Sequence, residues 1–181
     1  LNKTIGICTK NLEEYEFSRS KSELENFFWN VFCDYYLEIV KNRLYNENGA
    51  KKKSAQFTLN KSLLAILKLF APIMPYITEE IYQIRYAKEE KNKSIHVSRW
   101  PEYDKKYEDS EIEKIGDKVI KIIQEVRKFK TMNQKSLKHE VVIVLNKKDY
   151  RFIENAINDL KAVTNAKEIK QGNKFEINLI C

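Results

Sequence analysis

At 181 residues, 43% hydrophobic and 33% charged, the chain has room for one domain, or one domain plus a small appendage, with a real core, and is too apolar to be disordered. Four glycines and three prolines are too few for a typical all-β fold, so composition leans helical. The formal charge of +7 suits a polyanionic partner such as nucleic acid.

Ile5, Cys8, Leu12 and Tyr15 recur at steps of three and four and predict a first helix ending near Phe17. Ser20 with Glu23 fits a capping box, so a second helix is expected from there to about Tyr45. Its centre, FFWNVFCDYYLE from Phe27 to Glu38, is half aromatic. Leu24, Phe28, Val31, Tyr35 and Ile39 form one stripe, and Phe27, Phe32, Tyr36 and Val40 widen it, which predicts a central bundle helix contacted on several sides. Asn46, Asn48 and Gly49 end it, and Lys51 to Lys53 read as an exposed basic loop.

A third helix is expected over Ser54 to Ala71, with Leu59, Leu63, Ile66, Leu67 and Phe70 inward. Pro72 and Pro75 break it. A fourth helix carries Thr78, Glu79 and Glu80 in its opening turns, with Ile77, Ile81 and Ile84 as its apolar face. A polar excursion over 88–108 is expected to be pinned to the helices by a buried Trp100. Ile112, Ile115, Val119, Ile122, Val126 and Phe129 then mark a fifth helix, whose polar side carries Lys114, Lys118, Lys121 and Lys128.

After Lys138 the period changes. Glu140 to Leu145 reads as a buried strand, and Phe152 to Val163 suits a helix. Lys167 to Lys170 and Lys174 to Ile180 read as strands turned at Gln171-Gly172-Asn173. The expected fold is mainly α: an antiparallel helical bundle over 1–136, followed by a small α/β unit over 137–181.

The four glycines stand far apart, which excludes a glycine-rich phosphate loop. Neither His96 nor His139 belongs to a metal-binding pair, and no nucleophile motif is recognisable, so catalytic, metal and cofactor residues are all expected to be none. Cys8, Cys33 and Cys181 are oddly numbered and widely spaced, which suggests free thiols, with Cys33 buried, and a cytoplasmic location. No apolar stretch approaches the roughly 20 residues of a membrane span. The chain opens without methionine on what reads as mid-helix sequence, as a piece of a larger protein would. Candidate RNA contacts are Asn30, Asp34, Tyr36, Lys41 and Arg43 on the second helix and Arg127, Lys128 and Lys130 at the end of the fifth. Amides and carboxylates read base edges, aromatic and guanidinium planes stack, and lysines pair with phosphates.

Taken together, FFWNVFCDYYLE, AQFTLNKSLLAILKLFAPIMPYITEEIY (55–82), SIHVSRWPE (94–102) and VIKIIQEVRKFK (119–130) resemble the anticodon-binding domain of valyl-tRNA synthetases. Tyr35 stands where that family commonly has tryptophan. The ending differs from the coiled coil of bacterial-type members and is more similar to the archaeal type. The resemblance implies a class I aminoacyl-tRNA synthetase of protein biosynthesis, a valine–tRNA ligase whose ATP- and magnesium-dependent catalysis and editing lie outside this fragment. It also implies binding of the tRNA(Val) anticodon stem-loop, attachment to the rest of the synthetase chain, and a monomer. The corresponding domain of an isoleucyl or leucyl enzyme, or a helical protein-interaction scaffold, is the alternative.

Overall fold

The computed structural model describes residues 1–180; Cys181 lies outside the described residues. The fold is mainly α, with a small three-stranded sheet towards the C-terminus, as the sequence implies. By contact the chain forms two compact units, one of Leu1–Tyr36 with Asn48–Glu108 and one of Leu37–Glu47 with the chain from Asp109 onward. This grouping puts the fifth predicted helix with the sheet.

The first unit is all-helical. Helix α1 (Asn2–Glu13) buries Ile5 and Cys8. Helix α2 (Phe17–Phe27) starts ahead of Ser20, so that serine does not cap it. Ser20 is buried instead, and its hydroxyl donates to the Cys8 carbonyl while the Cys8 thiol donates back to the Ser20 carbonyl. The small side chain lets the two backbones approach, and the reciprocal bonds satisfy both polar groups.

Phe28–Tyr36 is π-helical, a conformation that runs without a break from α2 into α3 (Leu37–Tyr45). Its bonds close five residues back, making a wider turn than the α-helix. In an α-helix a residue four places on is rotated about 40° past the first, and the wider turn brings such pairs closer to alignment. Phe28, Phe32 and Tyr36 accordingly stack as a column, with centroids 6.2 and 5.6 Å apart and ring planes within 19° and 25°. Phe32 is buried, and Phe28 meets Phe70 edge-on at 5.6 Å. Val31, expected to pack, is 38% exposed because the wider turn moves it off the α-helical stripe. Cys33 is half-buried rather than buried.

Helix α4 (Gly49–Phe70) begins earlier than expected, so Lys51 to Lys53 lie in its opening turns and not in a loop. Gly49 adopts φ +66°, which a side chain would resist, and the alanine and lysines after it are good helix formers. In α5 (Pro75–Arg85) the inward face also differs from expectation. Thr78 and Tyr82 are buried, as is Tyr86 beyond the helix end, while Ile77 and Ile84 are exposed. The tyrosines can be buried because their hydroxyls find acceptors, Glu90 for Tyr82 and the Asn60 carbonyl for Tyr86. They join Leu64, Leu67, Ala71 and Ile95 in one core cluster.

Beyond a short α6 (Ala87–Glu90), the excursion is tied down at several points. The half-buried Trp100 donates its indole N–H to the Thr9 hydroxyl at 2.9 Å, and Asn2 and Asp104 exchange two 3.0 Å bonds. Glu79 accepts from the Ser94 hydroxyl, the Ile95 N–H and the Gln83 amide. Burial would raise its carboxyl pKa, but these bonds, with His96 nearby, outweigh it and hold the group below the ordinary carboxylate range. A depressed folded-state pKa stabilises above the unfolded value of about 4.3 and is lost as pH falls through the folded value. Thermal melts between about pH 5 and pH 3 should therefore show a smaller acid-induced fall in Tm for Glu79→Gln than for the native chain.

In the second unit, α7 (Ser110–Met132) is capped by Asp109, which accepts from the N–H groups of Glu111 and Ile112. Val119, Ile122, Ile123 and Val126 are buried, whereas Ile112 in the first turn is exposed. Strand β1 (Val141–Asn146) is central and is followed by α8 (Lys147–Phe152) and α9 (Ile157–Thr164). β2 (Ala166–Gly172) pairs parallel to β1, and β3 (Glu176–Leu179) pairs antiparallel to its other edge. The last two strands therefore do not form the expected hairpin. β1 is the most apolar of the three, with Val141, Ile143 and Leu145 fully buried, and taking both neighbours covers both its edges.

Gly172 lies beside β1, where an added Cβ would come 2.4 Å from Val144 Cγ1. Valine is stiff at χ1 and cannot swing aside. Gly172→Ala should thus destabilise the chain by about 1–3 kcal/mol in urea denaturation, and pairing it with Val144→Ala should recover part of the loss.

Candidate nucleic-acid interface

The sequence-derived candidates fall into both units. In the first, Asn30 and Asp34 are exposed on the π-helical segment, while Tyr36 is half-buried at the end of the ring column. Asn30 donates to the Asn26 side chain one α-helical step earlier at 2.7 Å, which orients its amide. Next to it Trp29 is 59% exposed, its ring edge-on to Phe28 at 4.8 Å. The sequence reading passed over Trp29, although a signal was present: it is the one aromatic of the run that belongs to neither apolar stripe. An exposed indole beside an oriented amide offers a stacking plane and a hydrogen-bonding edge together, the pair of functions that recognition of splayed bases requires.

In the second unit the basic candidates differ sharply in what they can reach. Lys41 is exposed on α3 and paired with Glu38, an exposed pairing that leaves its ammonium available to solvent. Arg43 forms a two-pronged bridge to Asp159, its Nε donating to Oδ1 at 2.8 Å and a terminal N–H to Oδ2. Asp159 is buried on α9, so Arg43 anchors α3 to α9 and has 40% of its side chain exposed. Arg127 is half-buried and Lys128 exposed near the end of α7.

Lys130 is placed elsewhere. It is 1% exposed, and its ammonium donates to the carbonyls of Leu137 at 2.8 Å and Thr164 at 2.7 Å. Burial pushes its pKa down. A linear reading assigns lysines to solvent, and only the path of the chain after α7 shows that two carbonyls converge on this one.

A family model described as "Anticodon-binding domain of tRNA ligase" matches residues 1–145. A valine--tRNA ligase of Wolbachia pipientis wMel is 41% identical over 177 residues, covering 94% of this chain and 20% of that protein. One from Anaplasma marginale (strain St. Maries) is 39% identical over 172 residues, with 94% and 20% coverage. One from Pyrococcus horikoshii is 38% identical over 151 residues, with 81% and 17% coverage. The chain thus spans about a fifth of the length of the curated relatives it matches. With a family model matching most of its length, the chain belongs to the family of anticodon-binding domains of tRNA ligases.

Proposed function

We propose that this chain grips the anticodon stem-loop of tRNA(Val) for a valine–tRNA ligase, an aminoacyl-tRNA synthetase that joins valine to its tRNA with ATP. The observation that carries the reading is the similarity of 94% of the chain to valine--tRNA ligases at about 40% identity. In this reading residues 1–136 are the anticodon-binding domain and 137–181 a C-terminal subdomain of the archaeal type. Asn30 and Asp34 address base edges. Tyr36 supports the surface they stand on. Lys41, Arg43, Arg127 and Lys128 supply charge towards phosphates, with Lys130 holding the end of α7 in place. In this reading the nucleotide and its magnesium belong to the catalytic part of the longer protein. The protein works as a cytoplasmic monomer. Among the described residues, no helix is long and apolar enough to cross a membrane.

The test is a fluorescence titration of the chain with tRNA(Val) transcripts and with transcripts carrying an isoleucine or leucine anticodon. Tighter binding of the valine anticodon is expected. Equal affinity for all of them would remove the recognition role and leave general electrostatic binding.

A further inference from the structure

Lys130 poses a physical problem that its two hydrogen bonds only partly solve. An ammonium has three N–H donors, and carbonyls take two of them. Among the described residues no carboxylate forms an ion pair with it, and its bonds go to neutral carbonyls. The Thr164 carbonyl offsets part of the cost, because it stands at the negative end of the α9 dipole. A buried cation is ordinarily paired with an anion or sheds its proton, and among the described residues this ammonium has carbonyl partners alone.

The surroundings fit such an arrival. Lys130 lines a groove of about 340 Å³ within the second unit, together with Arg127, Lys138, Thr164 and Asn165. Among the described residues of its lining Glu38 is the one acidic member, and it is already bonded to Lys41. Asn165, in the left-handed conformation at the end of α9, donates its amide to the Lys138 carbonyl and so fixes the backbone of the rim. Two lysines, one of them desolvated, therefore line a space large enough for a compact tetrahedral anion, and Arg127 belongs to the same lining.

We propose that this groove is a phosphate-binding site, with Lys130 as its buried anchor and Lys138 and Arg127 as its rim. The phosphate is presented either free or by an RNA backbone. The existence of this site rests neither on base recognition by Asn30 and Asp34 nor on the anticodon reading. A bound phosphate supplies the missing counter-charge and returns the Lys130 ammonium towards its ordinary basicity.

The experiment follows the Lys130 ammonium by 1H–15N NMR while the full chain is titrated with inorganic phosphate. A saturable shift of the Lys130 resonance is expected. Lys138→Gln should weaken binding by about three- to tenfold, as loss of one charge-assisted contact does. Lys130→Met, which removes the observed ammonium and is followed instead by the 31P line of the added phosphate, should abolish it. Lys121→Gln, on α7 outside the groove, should change it by less than about twofold. Should Lys130→Met fail to fold, the rim variant still decides. An unmoved Lys130 resonance, or a shift that Lys138→Gln leaves intact, would overturn the site. A short single-stranded RNA then identifies the source. RNA that moves Lys130 and is displaced by phosphate assigns the site to backbone phosphate, and RNA that leaves it unmoved assigns it to the free anion. Loss of anticodon discrimination with phosphate binding preserved would count against the proposed function alone.

Discussion

Phe32→Ala is expected to destabilise the chain by about 3–5 kcal/mol, the usual cost of removing a buried phenylalanine. The ring is 4% exposed and stands between Phe28 and Tyr36 in a column with near-parallel planes, so its loss opens a cavity and breaks two ring contacts. The effect should exceed simple core truncation in one respect. The stacked rings are the visible compensation for a wide π-helical turn, and without the central ring the segment loses its reason to hold that geometry. Urea denaturation followed by circular dichroism measures the loss, and the fluorescence of the adjacent Trp29 reports on the segment itself. Phe32→Leu, which keeps most of the volume, should cost about 1–1.5 kcal/mol. A loss below about 1 kcal/mol for Phe32→Ala would mean that the column contributes little.

Binding to tRNA should be steeply salt-dependent. If about three or four phosphates are neutralised by Lys41, Lys128 and their basic neighbours, the single-strand slope of about −0.7 per phosphate predicts a roughly 20- to 50-fold loss of affinity for a fourfold rise in salt. Lys41→Gln and Lys128→Gln should each reduce the slope by about 0.7 and weaken binding to all transcripts alike. Asn30→Ala should leave the slope unchanged and narrow the preference for the valine anticodon, since an amide that reads a base edge carries no charge. A slope that neither lysine alters would show that both ammonium groups stay in solvent when RNA is bound. The two classes of variant thus separate grip from reading.

Where the sequence was legible, regular periodicity made it so. The stripe of α7 follows from the three-four spacing of its apolar residues, and the strand at β1 from its unbroken β-branched run. Trp100 ties the polar excursion to α1 as expected, through its indole N–H to Thr9, but its ring is half-buried rather than buried. What escaped depends on contacts between distant residues. Periods of three and four assume an α-helix, so a π-helical segment shifts Val31 outward and leaves Phe32 as the buried ring. Hydropathy prefers isoleucine to tyrosine inside, yet Tyr82 and Tyr86 are buried because Glu90 and the Asn60 carbonyl await their hydroxyls. The site shows the same division. Exposed polar groups such as Asn30 and Lys128 are visible from spacing alone, whereas the burial of Lys130 and the hold of Arg43 on Asp159 arise from elements far apart in the chain.

The central position of β1 has a consequence for how the chain is made. As synthesis proceeds, Val141 waits for Ala166, its partner in the parallel pair, and longer still for Leu179 on the other side. Throughout that interval the run VVIVL has both edges bare, and it is the kind of segment that pairs with a neighbouring nascent chain if left unguarded. Lys138 and Glu140 stand before it and Lys147 and Lys148 after it. Charges that flank an apolar strand in this way act as gatekeepers against such pairing, keeping it single until its own partners emerge.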